Sequence, residues 1–224
     1  MNNKNALLII DMQQEDGFTL ENLEGVIAHN LALLTAARRS AIPVFYTRHI
    51  NQADGSDLPP GEPRSDDGGP SSYRAGTTQV EIIAALAPRP DEQVIDKHRY
   101  SGFHQTDLDA RLKLLGVDTL IISGVLTDVC VLTTVFDAFS LGYRIQLITD
   151  ACTTSTWAAH YSALLIMANW VYAIEMFTCE QFLLSLRGEH FACCAPGQPD
   201  LFAHQPEELA NTIVRFQSSL QCQE

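Results

Sequence analysis

The chain has 224 residues, 46% hydrophobic and 18% charged, which suits one large α/β domain with a sizeable core and shows no composition break that argues for two. Lys+Arg 14 against Asp+Glu 27 leaves a net charge of -13, so a nucleic-acid backbone or an anionic membrane would be repelled, and neither is expected as a partner. The polar start Met1-Asn2-Asn3-Lys4-Asn5 precedes an apolar run too short for a signal peptide or a membrane span, and the six cysteines show no disulfide-framework spacing, so a cytoplasmic protein with reduced thiols is expected.

Residues 6–12 read as a buried first strand with one acid, Asp11, at its C-terminal end, a costly placement unless the carboxylate is paired or used. Helical periodicity follows over 20–40 through Leu23, Ile27, Leu31 and Leu34, and then a second strand over 43–48. Residues 49–76 turn to Asn, Asp, Gly, Pro, Ser and Arg without periodicity, and a loop of that length inside a compact domain is usually functional or mobile. The spacing of Val80, Ile82, Ile83 and Leu86 predicts a helix from about Gln79, capped by Thr77 or Thr78 and stopped by Pro88. Residues 93–97 form a short strand ending in Lys97, which mirrors Asp11. After a loop rich in aromatic and hydrogen-bonding groups, Thr106-Asp107-Leu108-Asp109 resembles a capping box opening a helix through Leu112 and Leu115 that Gly116 closes.

Residues 119–123 are apolar on both alternating faces, as in a central parallel strand, and Gly124 stops it. From Asp128 the positions Val131, Val135, Ala138 and Phe139 fall at helical spacing as far as Leu141-Gly142, which puts Cys130 in the first helical turn. Unpaired N–H groups and the helix dipole there favour an anion and lower a thiol pKa. A fifth strand (144–149), a helix (156–168), a sixth strand (172–176) and a short helix (180–186) complete the alternation. The pattern calls for a three-layer αβα fold, a six-stranded parallel sheet with helices on both faces. Functional sites in such sheets lie at the carboxyl ends of the strands, where Asp11, Lys97 and Cys130 all fall. Residues 1–187 are expected to form the main domain. Residues 188–224, with an amphipathic stretch over 206–220 (Leu209, Ile213, Val214, Phe216), are expected to form an arm packing on that domain or on a neighbouring subunit.

A cysteine at a helix N-terminus with a carboxylate and a lysine at nearby strand ends forms a self-consistent nucleophilic set. Asp11 can take the thiol proton, and Lys97 can hold Asp11 ionised and stabilise the thiolate. The thiolate would attack an amide carbonyl, with the oxyanion received by backbone N–H groups, most plausibly those of Leu126 and Cys130. Loss of ammonia or an amine would leave a thioester for water to hydrolyse. No metal or organic cofactor is required.

The segments Ile-Ile-Asp-Met-Gln around Asp11, Asp-Lys-His-Arg-Tyr-Ser-Gly-Phe around Lys97, and Gly-Val-Leu-Thr-Asp-Val-Cys ending at Cys130 resemble the three signatures of the isochorismatase-like cysteine hydrolases. That superfamily includes nicotinamidases, N-carbamoylsarcosine amidase, ureidoacrylate amidohydrolases and biuret hydrolases. The resemblance runs over about 6–186, and implies that Asp11, Lys97 and Cys130 are a catalytic triad and that the Val125–Leu126 peptide is cis. It also implies a homo-oligomer, since members commonly form dimers or tetramers. Gln13, Tyr100, Phe103 and Thr127 are taken as substrate contacts. His98, Arg99, Tyr100 and Phe103 fit a subunit contact about as well, and Thr127 and Asp128 fit turn and cap roles.

Nicotinamidases of this superfamily carry Asp-x-His after the second strand, binding a metal that holds the pyridine nitrogen. Here His49 and Asn51 stand at those positions, so the trio is missing; a substitute from His49, Asp54 and Asp57 is the remaining route to a metal. Many members have Asn-Asp-Phe after Asp-x-Gln, where this chain has Gln14-Glu15-Asp16 with Phe18 two positions on. The expected activity is cysteine-dependent amidohydrolysis of a small carboxamide or ureido compound. Nicotinamidase is the alternative, followed by an isochorismatase-type ether hydrolase and a thiol redox sensor. A local cationic site from Lys97, Arg48 or Arg99 could hold a substrate carboxylate. Cys152 and Cys179 are read as packing residues, His190 to Cys194 as part of a surface arm, and Asn169-Trp170 as a helix end or a site wall.

Overall fold

The structure is a computed structural model that describes residues 4–15, 17 and 19–222; Asp16 and Phe18, expected near the pocket, lie outside the described residues. Six parallel strands, β1 (Asn5–Ile10), β2 (Val44–His49), β3 (Gln93–Lys97), β4 (Thr119–Val125), β5 (Arg144–Thr153) and β6 (Ile174–Phe177), form one sheet in the order β3-β2-β1-β4-β5-β6. The strand order reverses between β1 and β4, which opens a crevice at their carboxyl ends.

Alternation along β1 explains the three layers. Ala6, Leu8 and Ile10 join one core with residues of α2 (Leu108–Leu114), α3 (Leu132–Ser140) and α4 (Trp157–Trp170). Leu7 and Ile9 join the other with α1 (Leu23–Arg39) and α5 (Cys179–Leu186). A strand buried on both faces reads as a continuous apolar run. The arm after α5 lies on the first of these cores. Cys194 pairs antiparallel with Met176 of β6, while Phe202, Leu220 and, from α6 (Leu209–Ser219), Phe216 are buried there. Among the described residues no helix is long and apolar enough to cross a membrane.

Several expected boundaries are corrected. The helix expected from Gln79 is two 3-10 turns, Thr78–Val80 and Ala84–Leu86. Between them the chain is drawn out by pairing with the segment after β1: Gln14 N–H donates to Glu81 O (2.8 Å), Ile83 N–H donates to Met12 O (2.9 Å), and Gln13 bridges to Ile82. Tertiary pairing overrides a helical spacing that rests on only four apolar positions. No capping box opens α2. Thr106 Oγ1 accepts weakly from Leu108 N–H (3.4 Å), and Asp107 and Asp109 are engaged by Arg111 and Lys113 one turn on. Strand β5 runs four residues past the expected end, to Thr153.

Gly124 does not stop β4; it lets β4 continue beside β1. Its φ is +118°, and a Cβ there would lie 2.0 Å from Ile10 O. Both the dihedral and the contact exclude a side chain. Gly124→Ala should therefore cost at least about 3 kcal/mol, read as a lower urea midpoint or loss of soluble protein, since strain and backbone overlap add. Wild-type stability in that variant would show that β1 and β4 do not approach so closely.

Candidate active site

Asp11 lies one residue beyond β1 with φ +50°, a left-handed conformation that Asp tolerates better than most residues. This breaks the strand alternation and aims the carboxylate along the sheet edge. Its N–H donates to Thr47 O and Oγ1 (3.2 Å each), and the Thr47 hydroxyl donates to Asp11 Oδ1 at 2.7 Å. Oδ2 stands 2.7 Å from Lys97 Nζ as an ion pair without hydrogen-bond alignment.

Lys97 comes from β3, two strands away, and reaches past β2 with no exposed surface. Its ammonium also donates to Cys130 Sγ (3.4 Å) and Arg99 O (3.1 Å), and His49 Nδ1 of β2 is 3.4 Å away. Burial pulls the lysine pKa down, but the Asp11 carboxylate and the Cys130 sulfur outweigh it and hold the pKa above its ordinary value.

Cys130 lies at the crevice between β1 and β4. After the cis Val125–Leu126 peptide the chain makes a π-helical turn, Thr127–Val131, in which Leu126 O accepts from both Val129 and Val131 N–H at 3.1 Å. The regular helix begins only at Leu132, so the cysteine sits in a wide turn ahead of it instead of in the first turn of α3. The expected lowering of its pKa is corrected as well. Burial, then the facing Asp11 carboxylate, push the thiol up to about 12, with Lys97 opposing. Desolvation outweighs a helix terminus, whose effect is at most about 2 kcal/mol.

Cys130 and His49 present the cluster to a cavity of about 400 Å³ whose lining also includes Glu62, Tyr73, Tyr100, Leu126 and Val129, with Asp11 and Lys97 buried behind them. The long 49–76 loop supplies its roof. Asn51 ties it down by accepting from Ala75 N–H (2.9 Å) and donating to Tyr73 O (2.8 Å) and Ser72 O (3.1 Å), and Glu15 Oε2 accepts from Tyr73 N–H at 2.7 Å. Among the described residues Cys130 is the only cysteine lining this cavity.

Of the four expected substrate contacts, Tyr100 alone lines the cavity. Gln13 is spent on the framework, donating to His49 O and Val80 O (3.0 Å each) and accepting from His49 N–H (2.8 Å). Thr127 is buried against His160, with Oγ1 2.9 Å from Nδ1. Phe103 stacks on Tyr143 at 5.8 Å within the first core. Leu126 and Cys130, expected at the oxyanion, do share the cavity. His98 is engaged by Ile50 O and Asp57, Arg99 by the His98 carbonyl, and Asn169 Oδ1 accepts from Phe202 N–H in the arm.

His49 is the wall residue that strand-end logic could have found, since it ends β2 as Lys97 ends β3 and pairs with it in register. Glu62 and Tyr73 belong to an aperiodic loop that carries no positional signal. Burial, then the Lys97 charge, lower His49 to about 4, so it is a neutral imidazole near pH 7.

The residues do not fit the nicotinamidase-type metal trio. Asn51 donates its amide to Ser72 O, Asp54 accepts from Ser56 N–H, and Asp57 Oδ1 accepts from Gln52 N–H while its Oδ2 lies 3.1 Å from His98 Nδ1. The converging ligand group among the described residues is Asp11, His49 and Cys130, with ligand atoms within 4.8 Å of one another. Lys97 Nζ touches all three, so a metal ion there would meet an ammonium.

The family model described as Isochorismatase domain matches residues 5–176. The chain is 34% identical over 188 residues to Nicotinamidase 3 of Arabidopsis thaliana, covering 82% of this chain and 89% of that one. It is 30% identical over 197 residues to the ureidoacrylate amidohydrolase RutB of Variovorax paradoxus (strain S110), covering 77% and 75%. A crystal structure of an isochorismatase family protein from Desulfovibrio vulgaris subsp. vulgaris str. Hildenborough superposes with a TM-score of 0.72 at 31% identity, covering 83% of this chain and all of that one.

His160 is likewise lowered to about 4 by burial. Between pH 6.5 and 4 the unfolded chain takes up protons that folded His49 and His160 refuse. Stability is then full above about pH 6.5 and falls with pH, by roughly 2 kcal/mol per histidine at pH 5. Urea unfolding at pH 7.5 and 5.0 should show this loss, and the double variant His49→Gln, His160→Gln should remove most of it. An unchanged difference would mean that neither ring is held neutral.

Proposed function

The chain belongs to the isochorismatase family, and on that premise we propose that it is a cysteine-dependent amidohydrolase that cleaves a C–N bond of a small carboxamide or ureido compound. One observation carries the reading: a buried ammonium, Lys97, touches both a carboxylate and a thiol, and that thiol lines a cavity large enough for a small amide.

A thiol raised to about 12 rests protonated, so deprotonation accompanies attack instead of preceding it. Asp11 takes the proton through Oδ2, the oxygen with no hydrogen-bond donor aligned on it, as the sulfur bonds to the amide carbonyl carbon. Lys97 stays protonated and offsets the negative charge passing from carboxylate to sulfur. The oxyanion is received by the N–H groups of Leu126 and Cys130. Asp11 returns its proton to the leaving nitrogen as the C–N bond breaks and ammonia or an amine departs, leaving a thioester on Cys130. Water then gives a proton to Asp11 and attacks the thioester; the acid is released and the thiol recovers its proton. Apart from that water, every step uses side chains or backbone N–H groups of this protein.

Nicotinamide hydrolysis is the second reading, favoured by the 34% identity to Nicotinamidase 3 and by the His49, Tyr73 and Tyr100 rings around the cavity. It uses the same chemistry on a pyridine carboxamide, here without the metal trio.

Ammonia release from nicotinamide, ureidoacrylate, biuret, N-carbamoylsarcosine and simple aliphatic amides tests both readings. Cys130→Ala and Asp11→Asn should each lower kcat/KM by at least ~10³-fold, the range typical of residues that act as a unit. A chelator should leave the rate unchanged. Loss of activity with chelator would install a metal, and full activity in Cys130→Ala would remove the thioester.

A further inference from the structure

Resting on the amidohydrolase reading, and deepening it to a substrate class, we infer that Glu62 makes this a site for amides that carry no negative charge. Around Cys130 the cavity wall holds two phenols, a neutral imidazole, Ser71 and Ser72, apolar groups and one acidic side chain, the half-buried Glu62. Among the described residues the Glu62 carboxylate has no ion-pair or hydrogen-bond partner. It lies close enough to Tyr100, at the cavity mouth, that after burial it is the next cause raising that phenol.

The cations that could neutralise it, or receive a substrate carboxylate, are engaged elsewhere. Arg48 is bidentate on Asp96 (2.8 and 3.0 Å), Arg64 donates to Gly55 and Gly68 carbonyls (2.9 and 2.5 Å), Arg74 pairs with Asp67 (2.6 Å), and Arg99 is bound to the His98 carbonyl. Lys97 is balanced by Asp11. A substrate bearing a carboxylate would bring a second anion beside Glu62 with no guanidinium to receive it, and like charges juxtaposed without compensation are strongly disfavoured. A neutral polar group or a cation at the end of the substrate remote from its amide would instead find an acceptor. The consequence separates this chain from ureidoacrylate hydrolysis, whose substrate is a carboxylate.

The test uses charge-matched pairs: ureidoacrylate against its methyl ester, and 3-carbamoylbenzoate against isophthalamide. Ammonia release gives kcat/KM with the wild-type protein, and calorimetric titration into Cys130→Ala reads binding without turnover. The neutral member of each pair should be favoured about tenfold or more in both measurements, and Glu62→Gln should shrink that ratio by relieving the anion. A preference for the carboxylate, a ratio unmoved by Glu62→Gln, or binding of no member would overturn the inference. Failure of the amidohydrolase reading looks different: the binding preference persists while no member releases ammonia.

Discussion

A lysine with no exposed surface stays protonated only if its surroundings return what water would have supplied, and the Lys97–Asp11 pair is the constraint on which the rest of the site depends. Removing one partner of such a pair leaves an uncompensated buried charge, at a cost of about 3–5 kcal/mol. The surroundings therefore have to satisfy both ions. Thr47 serves the second carboxylate oxygen, Arg99 O and Cys130 Sγ take ammonium protons, and His49 stays neutral beside the ammonium. A carboxylate just past β1 and an ammonium from β3 meet across the end of the intervening β2, where His49 Nδ1 stands 3.4 Å from the ammonium.

The thiol is brought to that pair by backbone geometry. Gly124 lets β4 run against β1 without a side chain between them, and the π-helical turn after Leu126 then sets Cys130 over the crevice. His160 holds Thr127 at the start of this turn, and Ser123 is anchored through Asn30 on α1, whose amide also donates to Ala151 O. Cys130 is thus fixed from both faces of the sheet, the kind of support that holds reacting groups to sub-ångström tolerance. Its local field is that of a closed, desolvated cluster. In the proposed mechanism the proton moves between groups already close together, and a free thiolate is not required.

Charge in the cavity is set by a different part of the chain. The 49–76 loop has little regular structure, yet Asn51, Glu15 and the Arg64 and Arg74 side chains bind it to itself and to the sheet edge. It lays Tyr73 and Glu62 over the cluster. Scaffold and cavity wall are separable here: strand ends and the turn after β4 place Asp11, Lys97 and Cys130, and the loop supplies the groups that face them across the cavity.

The amino-acid order alone determined the six strands and their alternation with helices, because apolar runs buried on two faces and turn residues between them are local signals. It also determined Asp11, Lys97 and Cys130 as candidates, since a charged or nucleophilic group at the end of an apolar strand is conspicuous. Tertiary structure decided what local order cannot hold. The 79–88 spacing became two short turns because Met12 and Gln14 pair with it from a distant segment. Gly124 became part of a strand because Ile10 passes against it. The thiol pKa rose because desolvation depends on everything packed around Cys130, whereas a helix-terminus argument counts only its neighbours in sequence. Gln13, Phe103 and Thr127 went to framework bonds and core instead of the cavity, and Glu62 and Tyr73 entered it, because an aperiodic loop has no repeat from which the facing of a side chain can be read.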